Sequence, residues 1–269
     1  MLDFPIQAAP PAKMPRLETP SGACDCHIHV DDAASLAAYR AVKQRLGLSR
    51  AVVVQSSPAG TGPQAVLEAV AALGGEHARC VLALAPDISE AELERLADAG
   101  ARGVRLRLDD APEWEAIDAL AARIAPLGWH LQLAIDGQDL ADLAPELADL
   151  PCPVVLEHFA HLPEGIEPGD PALQALLRLI GRGRTWLELS APYEILPGGG
   201  PRYAELGRVA RALVRAAPER MIWGSNGPHA PAAAPADDAD LIDLLLDWAP
   251  EEGTRRRILV VNPASLYGF

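Results

Sequence analysis

Short apolar runs alternate with Ala- and Leu-rich segments along almost the whole chain. Eight of these runs have the hydrophobic pattern of β-strands, and the segments between them have helical periodicity. Strands that alternate with helices predict βαβ units and a parallel sheet. The eight predicted strands are Ala23–Val30, Arg50–Ser57, Cys80–Asp87, Gly103–Leu108, His130–Asp136, Pro153–Ala160, Thr185–Pro192 and Met221–Pro228.

Eight strand–helix units in a chain of 269 residues favour one closed (β/α)8 TIM barrel of the α/β class, a fold of about 250 residues. An open doubly wound sheet is less consistent with the pattern, because no Gly-x-Gly-x-x-Gly sequence follows the first strand. No long linker divides the chain. The pattern therefore predicts a barrel domain over residues 22–269, preceded by an extended segment over residues 1–21 with five prolines.

Polar residues share one face of several predicted strands, since alternate residues of a strand point to the same side. Arg105 and Arg107 share a face in the fourth strand, and Leu156 and His158 share one in the sixth. The other pairs are Gln55 with Ser57, Gln132 with Asp136, Glu188 with Ser190, and Gly224 with Asn226. These faces predict a site at the carboxyl ends of the strands, where barrel enzymes hold their catalytic groups. The alternative is buried ion pairs, such as Arg105 or Arg107 with Glu188, which are costly unless fully hydrogen-bonded.

The first predicted strand ends in a His-x-His sequence, His27 and His29. Period-2 geometry predicts that Asp25, His27 and His29 lie on one face, with Cys24, Cys26 and Ile28 on the other. Two imidazoles at this spacing can reach the same atom, either a metal ion or a substrate oxygen. The alternative is a pair of histidines satisfied in a polar loop.

The charge of the chain narrows the range of partners. A net charge of −14 argues against nucleic acid or an anionic membrane surface, which favour clustered Lys and Arg. It leaves open a small anionic substrate, because local arginines can override the global field. The four cysteines form neither a disulfide framework nor a metal knuckle, and the amino-terminal segment has no long apolar run. We therefore expect reduced thiols in a cytoplasmic protein with no membrane anchor.

Several motifs resemble those of the amidohydrolase superfamily, and specifically the branch that contains 2-pyrone-4,6-dicarboxylate hydrolase, sugar lactonases and a galactarolactone isomerase. The motifs that carry the resemblance are Asp25-Cys26-His27-Ile28-His29, Val52-Val53-Val54-Gln55-Ser56-Ser57, Gly103-Val104-Arg105-Leu106, Glu157-His158-Phe159-Ala160, Trp223-Gly224-Ser225-Asn226-Gly227-Pro228-His229 and the terminal Asn262-Pro263-Ala264-Ser265-Leu266-Tyr267-Gly268-Phe269. The resemblance implies a (β/α)8 barrel that hydrolyses a lactone, in a branch where several members need no metal.

By the same resemblance, His27 and His29 occupy the first-strand histidine positions, and His158 the position that polarises the scissile carbonyl or binds metal. Arg105 matches an arginine that binds a substrate carboxylate, a task that suits guanidinium. Asn226 takes the position of a catalytic aspartate, so it joins the three histidines as a catalytic candidate. The candidate substrate-binding residues are Ser56, Ser57, Arg105, Arg107, His161, Ser190, Tyr193 and His229.

Two departures from the family pattern bear on the chemistry. Asn226 cannot accept a proton, so another carboxylate, Asp25 or Glu188, is the candidate for proton transfer. Where the family has two further arginines, this chain has His161 and Glu194. A pocket for two carboxylates would therefore lack positive charge, which favours a substrate with one carboxylate or none.

Three functions remain open on the sequence. The first is a lactone hydrolase, with a small lactone of the sugar-acid or aromatic-catabolism type as substrate. The second is a lactone isomerase, because the asparagine at position 226 resembles the isomerase of this branch. The third is a non-catalytic barrel that binds a small ligand. We expect no metal cofactor; a zinc ion, if present, would use His27, His29 and His158. The protein would be a monomer or a homo-oligomer.

Overall fold

All eight predicted strands are present in the computed structural model, and they form one parallel sheet in the order β1 to β8. The structure describes residues 13–56, 62–109, 112–197, 199, 203–229 and 237–269. The strands are β1 (Cys24–Ile28), β2 (Arg50–Val54), β3 (Ala78–Leu82), β4 (Ala101–Arg107), β5 (His130–Ala134), β6 (Val154–Leu156), β7 (Thr185–Leu189) and β8 (Met221–Trp223). Most end earlier than predicted, so the polar residues beyond them lie in turns at the barrel mouth.

The sheet closes between its last and first strands. The backbone N–H of His29 donates to Gly227 O at 2.8 Å, and that of Asn226 donates to His27 O at 2.9 Å. Gly224 permits this approach, because a Cβ at that position would lie 2.6 Å from the Cβ of His27. The predicted (β/α)8 barrel is confirmed, with His27 and Asn226 joined across the closing seam.

Helices follow the strands and cover the outside of the barrel. Their starts are fixed by side-chain caps such as Ser89, whose Oγ accepts from Glu92 N at 3.2 Å, and Asp170, whose Oδ1 accepts from Ala172 N at 2.9 Å. The helices are α1 (Ala33–Arg45), α2 (Pro63–Leu73), α3 (Glu90–Asp98), α4 (Trp114–Ile124), α5 (Leu140–Asp149), α6 (Pro171–Gly181), α7 (Pro192–Ile195), α8 (Ala204–Ala216), α9 (Asp238–Asp243), α10 (Leu245–Trp248), α11 (Glu252–Arg256) and α12 (Asn262–Tyr267). None of the described helices is long and apolar enough to cross a bilayer.

Alternate residues of the strands enter two separate apolar clusters. Val53 faces the outer cluster between the sheet and the helices. Val52 and Val54 belong to an inner cluster, which Tyr267 of α12 also enters. The inner cluster fills the barrel beneath the site. All four cysteines are free and buried.

Strand β1 departs from the predicted alternation. Its register with β2 shifts between Asp25 and Ile28, and Cys26 lies in the inner cluster although the next residue, His27, also reaches inward to Glu188. The shift acts as a β-bulge, which adds a residue and changes the side to which later side chains point. The predicted common face of Asp25 and His27 is therefore wrong.

Asp25 points toward the outer layer of the barrel. Burial and then the carboxyl group of Asp25 raise the pKa of Tyr39, a residue of α1 in the outer cluster. The Oδ1 atom of Asp25 accepts from Ser225 N at 2.8 Å and from His27 N at 3.4 Å. Through these two hydrogen bonds, Asp25 stabilises the backbone where β1 meets β8.

The amino-terminal segment is described only from residue 13 onward. It contacts α9, where Arg16 N and Leu17 N donate to Asp243 Oδ1 at 2.8 and 2.9 Å. Thr19 Oγ1 donates to Leu46 O at 2.8 Å. The predicted boundary between an extended segment and the barrel stays a prediction, since residues 1–12 lie outside the described range.

Candidate active site

Three histidines meet inside the mouth of the barrel. The ring centroids of His27 and His29 are 4.9 Å apart, and those of His27 and His158 are 4.8 Å apart. His27 and His29 come from the end of β1, and His158 comes from the turn after β6. The structure thus brings together three of the four predicted catalytic residues, with Asn226 beside them at the seam.

The turn that presents His158 has an unusual backbone. His158, Phe159, Ala160 and His161 have φ values of 48°, 55°, 57° and 45°, a left-handed conformation that few residues other than glycine adopt. Strand β6 ends at Leu156, whose side chain lies in the outer cluster. The predicted common face of Leu156 and His158 is therefore wrong, because strand alternation ends before the turn begins.

The hydrogen bonds of the first-strand histidines determine which of their ring nitrogens carry a proton. Val54 O lies 2.8 Å from His29 Nδ1, and a carbonyl only accepts, so that nitrogen carries a proton. His29 Nε2 then accepts from His27 Nε2 at 3.3 Å, since His29 is neutral. His27 Nδ1, 2.9 Å from Glu188 Oε2, is left as an acceptor. This set of hydrogen bonds is complete when Glu188 holds a proton and donates it to His27.

The electrostatics agree with this arrangement. Burial lowers the pKa of His27 to about 4. Burial and then the neighbouring His27 lower the pKa values of His29 and His158, each to about 4. Burial and then the Glu157 carboxylate raise the pKa of Glu188 to about 8. At neutral pH the site therefore holds neutral imidazoles and a protonated Glu188.

Glu188 also connects to His158 through Ser190. Ser190 Oγ donates to Glu188 Oε2 at 3.3 Å and lies 2.8 Å from His158 Nδ1. Because the one hydroxyl proton is used on Glu188, His158 Nδ1 donates to Ser190 and His158 Nε2 keeps its lone pair. Ser190, a predicted substrate-binding residue, thus fixes the tautomer of His158.

Arg105 makes a buried ion pair with Glu157. Its Nε and Nη2 atoms donate to the two carboxylate oxygens of Glu157 at 2.7 and 2.8 Å, and its Nη1 donates to Ser56 O at 2.6 Å and Gln55 O at 3.3 Å. Burial alone would raise the pKa of Glu157, but the hydrogen bonds and charge of Arg105 hold that pKa well below its usual range. An ion pair was the predicted alternative for Arg105, although with Glu188 as its partner.

The two buried glutamates therefore occupy opposite protonation states at neutral pH. Glu157 is ionised beside Arg105, and Glu188 is protonated beside the histidines. Carboxyl groups whose surroundings separate their pKa values in this way are typical of sites that transfer protons.

A second group of polar residues surrounds Asn226. The Nδ2 atom of Asn226 donates to Tyr193 Oη and to Glu194 Oε1, both at 3.0 Å. His161 Nε2 lies 3.5 Å from Glu194 Oε2. This contact lowers the pKa of Glu194, and it outweighs burial, which acts in the opposite direction. Tyr193 Oη also lies 2.8 Å from His229 Nε2. Polar contacts therefore connect Asn226 to His161 through Glu194, and to His229 through Tyr193.

Three further predicted residues have different positions. Ser56 Oγ lies 3.1 Å from His29 Nδ1, at the edge of the histidine group. The side chain of Arg107 is 51% exposed and pairs with Asp109 at 2.8 Å, so it lies outside the buried network. Ser57 lies outside the described residues.

Sequence reasoning missed two residues of the site, Glu157 and Asp238. Glu157 precedes His158 in one of the family motifs, but strand alternation placed it on the opposite face. Its partner Gln132, whose Nε2 donates to Glu157 Oε1 at 2.8 Å, belonged to the predicted polar face of the fifth strand. Asp238 contacts His229 from α9, where Asp238 Oδ1 lies 2.8 Å from His229 Nδ1. A left-handed turn and an ion pair that joins distant strands leave no local pattern that would have revealed these residues.

The donor set can also hold a metal ion. Within the described part of the chain, His27, His158 and Glu188 each offer a ligand atom within 4.8 Å of the others. Glu188 Oε1 is buried and has no hydrogen-bond partner among the residues that the structure describes, which leaves an oxygen that can bind a cation. Two imidazoles and one carboxylate with an open position fit zinc. The sequence predicted His29 as the third zinc ligand beside His27 and His158, whereas this group has Glu188 in its place.

Comparisons with known proteins agree with the barrel fold. A D-galactarolactone isomerase of Agrobacterium fabrum is 34% identical, over 85% of this chain and 80% of the relative. A 2-pyrone-4,6-dicarboxylate hydrolase of Comamonas testosteroni is 33% identical, over 96% of this chain and 94% of the relative. A ligand-free crystal structure from Agrobacterium tumefaciens superposes with a TM-score of 0.83 at 30% identity, over 96% of this chain and 98% of that one. The family model described as amidohydrolase matches residues 24–269, and the chain therefore belongs to the amidohydrolase family.

Proposed function

We propose that the protein hydrolyses a small lactone by adding water to the ring carbonyl. The observation that carries the proposal is the buried link of Glu188 to two neutral imidazoles, directly to His27 at 2.9 Å and through Ser190 to His158. Relatives named as lactone hydrolases and a lactone isomerase support the reaction class. A cytoplasmic location belongs to the same proposal, and the four free cysteines support it.

The two imidazoles have different roles in this proposal. His27 Nε2 carries a proton, and a lactone carbonyl oxygen can replace His29 as its acceptor. The hydrogen bond then strengthens as negative charge develops on that oxygen. His158 Nε2 has its lone pair and accepts a hydrogen bond from the attacking water. Glu188 keeps both rings in these tautomers.

The proposal includes hydrolysis without a metal, because protons alone satisfy the links between Glu188, His27 and His29. A zinc ion held by His27, His158 and Glu188 would, when bound, polarise the lactone carbonyl. Treatment with a chelator separates the two cases: activity that survives it supports the metal-free reaction, and activity that is lost and returns with zinc contradicts it.

The charges of the site favour a neutral, polar lactone over a dicarboxylate. Arg105 is neutralised by Glu157, and Glu194 adds a negative charge beside Asn226. Each missing charge-assisted contact to a substrate carboxylate costs about 1.5–3 kcal/mol, or roughly ten- to a hundred-fold in affinity. We therefore expect kcat/KM for neutral sugar lactones to exceed that for 2-pyrone-4,6-dicarboxylate by at least about ten-fold.

The test is a panel of neutral sugar lactones, monocarboxylated lactones and 2-pyrone-4,6-dicarboxylate, assayed for acid release with a pH indicator and for products by NMR. Acid release from a lactone, lost in His158→Gln and retained in the exposed control His77→Gln, supports the proposal. A melting temperature raised by a lactone that is never turned over would show a binding protein. Preference for the dicarboxylate would contradict the charge argument.

Isomerisation of a lactone is the second candidate, and Asn226 favours it. An isomerase uses a hydroxyl of the substrate in place of water, so it needs no residue to activate water. In the same panel it would interconvert ring sizes in the NMR spectrum without net release of acid. That result would replace hydrolysis as the activity.

Asn226 also yields a prediction of its own. An aspartate at this position would place a carboxylate oxygen where the amide now donates to Glu194 at 3.0 Å. Two carboxylates at that distance repel, and one must take up a proton. Asn226→Asp should therefore lower the free energy of unfolding by about 0.5–1.5 kcal/mol, since the contact is partly exposed to solvent, and should not raise lactone hydrolysis.

Urea denaturation and kcat/KM measure both effects. The double variant Asn226→Asp with Glu194→Gln removes the repulsion, because the glutamine amide can donate to the new carboxylate, and stability should return. A single Asn226→Asp variant that hydrolyses lactones faster than the unmodified protein would contradict this account of the pair.

A further inference from the structure

A hydrogen-bonded series links the mouth of the barrel to α9. Asn226 Nδ2 donates to Tyr193 Oη at 3.0 Å. Tyr193 Oη lies 2.8 Å from His229 Nε2, and His229 Nδ1 lies 2.8 Å from Asp238 Oδ1. The carboxylate only accepts, so His229 Nδ1 carries a proton and, in the neutral ring, Nε2 accepts from the tyrosine hydroxyl. The order hydroxyl, imidazole, carboxylate is that of a catalytic triad.

We infer that Tyr193, His229 and Asp238 form a proton relay that replaces the missing base at position 226. The inference rests on the proposed lactone hydrolysis. The hydroxyl proton of Tyr193 points to His229, so the phenol oxygen is available to accept a proton from water. Burial raises the pKa of Tyr193, and the hydrogen bond that Asn226 donates to the same oxygen works against that rise, so the hydroxyl proton leaves as a water proton arrives.

The relay balances over one turnover. As the water oxygen bonds to the lactone carbonyl carbon, a water proton moves to Tyr193 Oη and the tyrosine proton moves to His229 Nε2. The imidazolium is stabilised by the Asp238 carboxylate. When the ring C–O bond breaks, the proton returns through Tyr193 to the leaving oxygen. The products are the open hydroxy acid and the relay in its starting state.

Arg45 holds the carboxylate of the relay in place. Its Nη2 atom donates to Asp238 Oδ2 at 3.1 Å, and its Nη1 atom donates to Asp237 Oδ1 at 3.0 Å. Asp238 therefore accepts a hydrogen bond from Arg45 with one carboxylate oxygen and from His229 with the other. Arg45 is a positioning residue, because it reaches the reacting groups only through Asp238.

This geometry predicts the effect of Asp238→Asn. Arg45 requires an acceptor, so the amide oxygen turns to Arg45 and the amide NH₂ faces His229 Nδ1. His229 then becomes the Nε2–H tautomer and cannot accept from Tyr193. The kcat should fall about 10²- to 10⁴-fold, as expected for loss of a general base, with little change in KM.

The experiment measures kcat and KM for Tyr193→Phe, His229→Gln, Asp238→Asn and the Tyr193→Phe/His229→Gln double variant, with Tyr203→Phe as the control for loss of a hydroxyl. The three single variants should lose kcat to a similar extent, and the double variant should lose no more than either single one, because members of a relay act as a unit. Tyr203→Phe should retain the kcat of the unmodified protein. Imidazole ¹⁵N NMR should show His229 as the Nδ1–H tautomer, and as the Nε2–H tautomer in Asp238→Asn.

The outcomes separate the relay from the proposed function. An unmodified protein that hydrolyses no lactone contradicts the proposed function, and the relay with it. Hydrolysis that persists in Tyr193→Phe and His229→Gln contradicts the relay alone and leaves His158 as the base. Additive losses in the double variant, a rise in KM without loss of kcat, or an Nε2–H tautomer of His229 in the unmodified protein would each overturn the relay.

Discussion

Replacing Arg105 with alanine should lower the free energy of unfolding by about 3–5 kcal/mol, the cost of removing one partner of a buried ion pair. Glu157 is fully buried, with Arg105 bound to both of its carboxylate oxygens. Among the described residues, the substitution leaves Gln132 as the one side-chain donor to that buried carboxylate. It also removes the donors to the carbonyls of Gln55 and Ser56.

Arg107→Ala is the matched control, because the two arginines lie on the same strand. Arg107 is 51% exposed and pairs with Asp109 at the surface, and such pairs contribute about 0–1 kcal/mol. Urea denaturation of both variants gives the comparison. Adding Glu157→Gln to Arg105→Ala should recover part of the loss, since no unpaired charge then remains. Equal losses in the two alanine variants would show that the buried pair does not stabilise the barrel.

The same pair changes what Arg105 can do for a substrate. The family resemblance implies that this residue binds a carboxylate of the ligand. Here the guanidinium already has Glu157 and two backbone carbonyls as partners. A second carboxylate would have to compete with Glu157 for it. The preference for neutral lactones and the stability prediction therefore have one physical cause.

The fold was predictable because each strand of a covered barrel is buried on both sides. Val52, Val53 and Val54 are fully or almost fully buried, and such short apolar runs stand out between the amphipathic helices. The barrel also repeats one local unit eight times, so an error at one strand end does not change the architecture. What the sequence could not show was where each strand ends.

The site was harder to predict because it begins where strand alternation stops. Alternation placed Leu156 and His158 together, yet the left-handed turn that begins at His158 brings its ring to the same side as the extended residue before it, Glu157. The bulge in β1 puts Asp25 and His27 on opposite sides of the sheet, and no glycine or proline marks it. The contact of His229 with Asp238 crosses to α9, beyond the reach of any local motif. Residue types could be predicted, but their partners required the three-dimensional structure.

Glu188→Gln should reduce kcat for lactone hydrolysis by about 10²- to 10⁴-fold. Glu188 contacts His27 Nδ1 directly and His158 through Ser190. A glutamine can donate to His27 or accept from Ser190, but it holds no carboxyl proton to pass to the ring. The variant should remain folded, because its amide keeps one of these two hydrogen bonds and removes the ionisable group next to Glu157.

Asp25→Asn makes the same chemical change at the other buried carboxyl group that the sequence nominated for proton transfer. Its Oδ1 atom accepts from Ser225 N and His27 N, and an asparagine oxygen can accept both bonds. We expect kcat to change by less than about ten-fold, far below the loss for a residue that transfers protons. The ratio of the two kcat values, measured on one lactone with both variants shown to be folded by circular dichroism, assigns the proton. Equal losses would mean that Asp25 acts on the chemistry through the backbone of His27, and a larger loss in Asp25→Asn would reverse the assignment. The expected difference in kcat has a structural cause. The carboxyl group of Asp25 binds the backbone at the seam between β1 and β8, whereas that of Glu188 contacts the imidazole of His27.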